Sequence, residues 1–578
     1  MKIRTRSAVA KPALLVSPEQ YDERVATVLV SARKAEPYRI DAVRGAGGDG
    51  TLAVRLIAAG VVTDEELAAT LADHYRAEML DFRHTDPEPE AVALLQVDAA
   101  RSLRALPIKV VDDAVVVGVV DPSPEHVAAV AAAIGRPVTA AVTTHRAMER
   151  ALGTEYKATG QVGRQIEAFE ARDSLRREAD QLQTAQVNEE APVVRVVQMI
   201  ITQALRDRAS DIHIEPSGER VRVRYRIDGA LTDVLDLPGS IGPAMVSRLK
   251  ILGGMNIVER RRPQDGQISM EVEGRAVDIR VSSTAVVGGE KVVMRLLDKS
   301  RPLFQLEQLG MPPDTAGPYS SMIHAPYGMV ICAGPTGGGK TTTLYASLGE
   351  LNTPDRNIMT IEDPVEYTFD SINQIQINER AGVTFAGGLK SILRQDPDVI
   401  LVGEIRDVDT ARIAVQSALT GHLVLSSLHA TESIAALYRL LDMGIEAFLI
   451  ASSVTGVIAQ RLVRRNCPNC LEPYDPSTEE LSFLRTFGSL DDSQEFRHGA
   501  GCHLCSHTGF LGRIGVYELL TVSDEVRELI VERAPHDEMR KLALSQGMRT
   551  LQEQAARLVR DGTTTAAEVM RSIYVAGV

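Results

Sequence analysis

The chain has 578 residues, enough for three or four domains at roughly 150 residues each. Apolar residues make up 44%, aromatics only 4%, and tryptophan is absent, so the cores must be built from Val, Leu, Ile and Ala, as suits α/β domains. The net charge of −14 argues against a general nucleic-acid coat, and no apolar run reaches the ~18 residues of a membrane span.

Residues 1–45 read as a flexible tail ending in the turn-rich RGAGGDG; its basic start, MKIRTRSAVAKPALLV, has too short an apolar stretch for a signal peptide, so an intracellular protein is expected. An amino-terminal regulatory or docking domain is expected over 46–156. Leu56, Leu67 and Leu71 fall at helical spacing, and Thr63 with Glu66 forms a helix-start signature. VVDDAVVVGVVDP predicts a strand pair turning at Asp112-Asp113. Residues 157–189, rich in Gln, Glu, Arg and Ala, read as a helix-prone linker.

A second, α+β domain is expected over 190–300: a helix from APVVRVVQMI, then strands DIHIEP, VRVRYRIDG, QISMEVEG, AVDIRVSST and KVVMRLLD. In VRVRYRIDG, Arg222, Arg224 and Arg226 are alternate residues and share one face. Three guanidinium groups side by side need an anionic partner, either an acidic neighbouring surface or nucleotide phosphate. Residues 301–312 form a Pro-containing hinge, and 313–578 alternates apolar strands with helices, the signature of a parallel sheet.

In that last region, YGMVICAGPTGGGKTTTLYASLGEL reads as strand, glycine loop, helix. This context gives the G-x-x-x-x-G-K-[ST] pattern its meaning as a phosphate loop. Gly334, Pro335, Thr336, Gly337, Gly338 and Gly339 turn backbone N–H groups toward phosphate, aided by the helix dipole. Lys340 is expected to reach the β- and γ-phosphates of ATP, Thr341 to ligate Mg²⁺, and Thr342 to complete the cradle.

Hydrolysis further needs an activated water and stabilised charge. NIMTIEDPVEY predicts a strand ending at Glu362-Asp363, and DPDVILVGEIRD a buried strand, Val399 to Val402, ending at Glu404. A parallel sheet gathers the carboxyl ends of its strands on one edge. Glu362 is the candidate general base, with a capping or salt-bridging carboxylate as the alternative; Glu404 is expected to hold a Mg²⁺-bound water, Gly403 standing where an Asp is usual. GHLVLSSLHA is a third strand ending near His429, which either donates to the γ-phosphate or is a structural hydrogen-bonder.

CPNC (Cys467, Cys470) and CHLC (Cys502, Cys505) are separated by 31 residues. Two such knuckles suit one closed, structural Zn²⁺ site, with a disulfide or free thiols as the alternative. Cys332, in the strand before the glycine loop, reads as a small core residue.

The ordered set ASDIHIEP, RYRIDG, ERRRPQDGQIS, GPTGGGKTTTLYASL, TIEDPVEY, LRQDPDVILVGEIRD, LTGHLVLSSLHA and CHLCSHTGFLGRIGVYELL resembles the secretion ATPases of the type II secretion and type IV pilus-extension family, over about 190–578. The resemblance implies an α/β fold with a RecA-like P-loop core, a preceding α+β (PAS-like) domain and a small tetracysteine zinc lobe at 464–512. It implies a homo-hexamer with nucleotide between the two domains, Arg224 and Arg226 serving as its cross-domain arginines. Glu362 and Asp363 match the acidic box, Glu404 the Walker B glutamate and His429 the histidine box. The four cysteines favour an extension or secretion motor over a retraction one. The expected setting is cytoplasmic, at the inner membrane, through a platform or recruiting protein. The first domain is similar to the family's amino-terminal domain, but Thr51-Leu52-Ala53 stands where cyclic di-GMP binders carry Arg-Leu-Gly, and His74 replaces a Gln, so dinucleotide binding is expected to be weak or absent. Two rival readings, a nucleic-acid translocase and a regulatory ATP-binding scaffold, are separated from a motor by stimulation with single-stranded DNA and by the need for Glu362 and Glu404; the acidic charge and scarce aromatics speak against nucleic acid.

Overall fold

A computed structural model describes residues 18–46, 50–82, 85–156, 192–298, 305–488 and 494–573, with 162, 166 and 169. The expected linker at 157–189 falls almost wholly outside the described residues, as do 1–17 of the expected tail. The described residues divide into two compact units: those within 1–162 group with the knuckles 467–470 and 499–509, and those within 163–466, 471–498 and 510–578 form the second.

In the first unit, residues 18–46 are not a loose tail. They form two helices, Pro18–Ser31 and Pro37–Ala46. Tyr21, Val25, Val28, Leu29 and Ile40 are buried with Leu52, Leu56, Leu67 and Leu71 of the next two helices. The apolar spacing of 18–40 is helical, but polar residues dilute it enough to read as tail. Thr63 and Glu66 make the expected reciprocal cap, each side chain accepting the other's backbone N–H at 3.1 and 3.0 Å. Strands β1 (Glu78–Met79), β2 (Ala105–Val111), β3 (Ala114–Val119) and β4 (Val138–Val142) form one sheet in the order β1-β4-β3-β2. The β2–β3 hairpin turns at Asp112, which takes a left-handed φ of 54°.

The second unit opens with the helix Pro192–Arg206, whose Val196, Val197, Ile200, Ile201 and Ala204 are buried. Six strands follow: β5 (Asp211–Ser217), β6 (Arg220–Ile227), β7 (Ala230–Pro238), β8 (Gln264–Val272), β9 (Arg275–Val286) and β10 (Gly289–Asp298), in the order β7-β6-β5-β10-β9-β8, with antiparallel neighbours. Val221, Val223 and Tyr225 of β6 are buried, and the Tyr225 hydroxyl donates to the Ile200 carbonyl at 2.6 Å. The period-2 alternation therefore puts Arg222, Arg224 and Arg226 together on the opposite face, as expected.

The rest of the unit is built on a seven-stranded sheet of β11 (Gly328–Ala333), β12 (Ile358–Glu362), β13 (Asn373–Gln376), β14 (Val399–Val402), β15 (Leu423–Leu428), β16 (Val454–Asn466) and β19 (Phe510–Thr521). Two short strands, β17 (Leu471–Tyr474) and β18 (Phe496–Gly499), pair separately. The order β13-β12-β14-β15-β11-β16-β19 is parallel except for the β16–β19 pair. Every residue of β11, β12, β14 and β15 is buried. Helices cover both faces, which explains why these strands read as continuous apolar runs rather than alternating ones. Helices Leu551–Arg560 and Ala566–Ser572 pack with Val463, Phe483, Leu484 and Val516 in a further core.

Candidate nucleotide site and tetracysteine cluster

The phosphate loop joins β11 to the helix Lys340–Leu351. Its tight path needs glycine at two positions. Gly334 has φ +157° and an added Cβ would sit 2.6 Å from the Gln460 carbonyl; Gly339 has φ +86° and would meet the Gln460 side chain at 2.6 Å. Gln460 of β16 is thus the floor of the loop. It is 2% exposed, and its Oε1 accepts from the Thr343 hydroxyl at 2.7 Å. Its importance was not read from the sequence, where a lone Gln in an apolar strand was the available signal. Thr341 and Thr342 are exposed at the helix start, whereas Thr343 is buried.

Lys340 Nζ donates to the carbonyls of Gly334 and Pro335, both at 2.9 Å. Burial pushes the ammonium below the ordinary lysine range, and Arg461 adds to this while Glu404 opposes it. Glu404 therefore lies within electrostatic reach of the lysine. Cys332 is fully buried, and burial pushes its thiol up to about 12, as fits a core residue.

The carboxyl ends of β12, β14, β15 and β11 stand in that order along one edge of the sheet. They carry Glu362, Glu404, His429 and the phosphate loop respectively. Glu362 is the last residue of β12 and is 4% exposed. One of its oxygens accepts from the Tyr345 hydroxyl. The other accepts from Thr360 at 2.6 Å and Gln374 at 3.2 Å. Glu404 pairs with Arg406, and its second oxygen lies 3.4 Å from His429 Nε2. Arg406 in turn lies 3.7 Å from Asp363. Gly403 has a steric reason: a Cβ there would sit 3.2 Å from the Ile361 carbonyl and 3.3 Å from Glu362 Cα. A side chain at 403 would thus require the backbone at Ile361 and Glu362 to give by a few tenths of an ångström.

On the α+β sheet, antiparallel pairing sets Glu215 opposite Arg222 and Asp211 opposite Arg226. Arg224 lies 2.8 Å from Glu215, Lys291 also 2.8 Å, and Arg222 3.5 Å. Burial alone would raise the Glu215 carboxyl, but the hydrogen bonds from Arg224 and Lys291 overcome it and hold it down at about 2. Arg226 lies 3.7 Å from Asp211, which Arg295 also approaches at 3.2 Å. The acidic partners of these arginines, Glu215 and Asp211, come from their own sheet. Two side chains that cross toward the seven-stranded sheet are Asp228, which accepts from the Gly512 N–H of β19 at 2.9 Å, and Arg280 of β9, whose two Nη atoms donate to the two carboxylate oxygens of Glu366 at 3.2 and 3.3 Å. Sequence reading passed over Arg280 because it stands among apolar and small residues of an ordinary alternating strand.

In the first unit, the sulfurs of Cys467, Cys470, Cys502 and Cys505 all lie within 4.8 Å of one another, with Cys467–Cys502 and Cys470–Cys505 at 3.9 Å and Cys502–Cys505 at 3.8 Å. Tetrahedral Zn²⁺ with Zn–S near 2.3 Å requires S···S edges of about 3.8 Å. Backbone N–H groups of Gly501, Cys502 and Gly509 donate to the sulfurs at 3.1 to 3.3 Å, as suits thiolates. The donor set and spacing fit zinc.

Residues 186–571 match the family described as Type II/IV secretion system protein, and residues 63–161 match the MshEN domain. The chain is 38% identical to the type II secretion system protein E of Xanthomonas campestris pv. campestris, over 95% of this chain and 98% of that one. It is 46% identical to the type II secretion system ATPase E of Vibrio cholerae over 66% and 76% of the two chains. It is 38% identical to the type IV pilus assembly ATPase PilB of Myxococcus xanthus over 89% and 92%. The chain belongs to the type II/IV secretion system protein family. It is an ATPase of that family, with nucleotide and Mg²⁺ as its cofactors.

Proposed function

We propose that the chain is a hexameric cytoplasmic motor whose ATP hydrolysis drives assembly of pilin or pseudopilin subunits at the inner membrane, for type II secretion or pilus extension, through a membrane platform or recruiting protein. The observation that carries this reading is the row of Glu362, Glu404 and His429 on the same sheet edge as the phosphate loop. The names of the relatives supply the process served. Among the described residues, no helix is long and apolar enough to cross a membrane, so the membrane contact is assigned to a partner.

In this reading the loop from Gly334 to Gly339 cradles phosphate with backbone N–H groups, and Lys340 exchanges its two carbonyl acceptors for terminal phosphate oxygens. Glu362 takes the proton of the attacking water. Thr341 would hold Mg²⁺ and Glu404 would hold one of its waters; the ion would supply neutralisation of phosphate charge. His429, tied to Glu404, donates to the γ-phosphate. The α+β domain offers Arg224 and Arg226, which must trade Glu215 and Asp211 for phosphate, and Arg280, which is paired with Glu366. The four cysteines would hold Zn²⁺ in a structural site. The amino-terminal domain docks onto the partner rather than binding cyclic di-GMP, since Thr51, Leu52 and Ala53 offer no guanidinium and Leu52 and Ala53 are buried.

The test is Lys340→Ala. It abolishes ATP hydrolysis and pilin or pseudopilin assembly while circular dichroism stays unchanged, and single-stranded DNA leaves the wild-type rate unchanged. Wild-type turnover in this variant, or DNA-stimulated turnover in the parent, overturns the reading.

A further inference from the structure

We propose that Tyr345 is a positioning residue for hydrolysis, a strut between the phosphate-loop helix and the carboxylate of Glu362; this rests on Glu362 being the base. Tyr345 lies five residues after Lys340 in the helix Lys340–Leu351 and is 2% exposed. Its hydroxyl donates to Glu362 and accepts from the Glu366 backbone N–H at 3.2 Å. Its ring is fixed edge-on by Tyr367 and Phe369, with centroids 6.3 and 5.4 Å away. Glu362 has two other donors, Thr360 from its own strand and Gln374 from β13. Both belong to the β12–β13 side. Tyr345 is the contact that ties the carboxylate to the element carrying the phosphates, so it sets the registry between base and substrate. A phenylalanine at this position keeps the ring packing and removes that tie.

The experiment measures kcat and KM for ATP in Tyr345→Phe, Glu362→Gln and the double variant, with nucleotide affinity and thermal melting alongside. The expected result is a kcat about tenfold lower in Tyr345→Phe at unchanged KM and melting temperature, and no further loss when the change is added to Glu362→Gln. Wild-type kcat in Tyr345→Phe beside an inactive Glu362→Gln overturns the strut and leaves the base standing. A loss in Tyr345→Phe that tracks lowered melting or raised KM reduces the residue to packing and also overturns it. Wild-type turnover in Glu362→Gln removes the base itself.

Discussion

The bridge between Arg280 and Glu366 can be weighed by a double-mutant cycle. Its two N–H···O contacts, at 3.2 and 3.3 Å, are parallel and charge-assisted. The side chains are 35% and 30% exposed, so solvent screens them. A Coulomb term of about 4 kcal/mol at an effective dielectric of 20 shrinks, after screening and the ordering of two long side chains, to about 1 kcal/mol. That corresponds to roughly a fivefold change in an opening equilibrium. The Glu366 amide, bonded to the Tyr345 hydroxyl, reports that opening. Hydrogen exchange at position 366 is expected to lose about fivefold protection in Arg280→Ala, and about as much again in Glu366→Ala measured alone. The double variant loses about fivefold, not the product of the two, and 1 M salt removes the difference. Protection that falls multiplicatively in the double variant refutes the coupling.

Gly403→Ala forces Glu362 and the Ile361 carbonyl to give by a few tenths of an ångström; steady-state assays should show kcat down about tenfold with ATP affinity held. Cys467→Ser should lower bound zinc, read by metal analysis, and increase protease cleavage within 467–509, as should a strong chelator acting on the parent chain. Glu215 is held at about 2 against an ordinary value of 4.5, so its contribution to stability is complete above pH 4.5 and is lost as pH falls toward 2. Denaturant melts of Glu215→Gln should show a flatter acid limb across that window, with lower stability at pH 7.

Much of the candidate nucleotide site was legible in the sequence because its parts are local. A strand-loop-helix with fixed glycines places Lys340 without help from the rest of the chain, and the end of an apolar parallel strand places Glu362 and Glu404. Val399 to Val402 is the strand expected, residue for residue. What escaped notice depends on distant partners. Gln460 matters only because β16 pairs beside β11, and Tyr345 only because β12 ends beside its helix. Arg224 and Arg226 shared a face as alternation requires, yet their partners, Glu215 and Asp211, were set by strand register. The helices at 18–46 were missed because their apolar face is narrow and its burial comes from the helices that follow.

The lysine at the head of the phosphate loop already sits inside a small ring of its own backbone, held by two carbonyls. A polyphosphate that takes this lysine has to displace two neutral acceptors. The same two carbonyls thus hold the cation in place until a stronger acceptor replaces them.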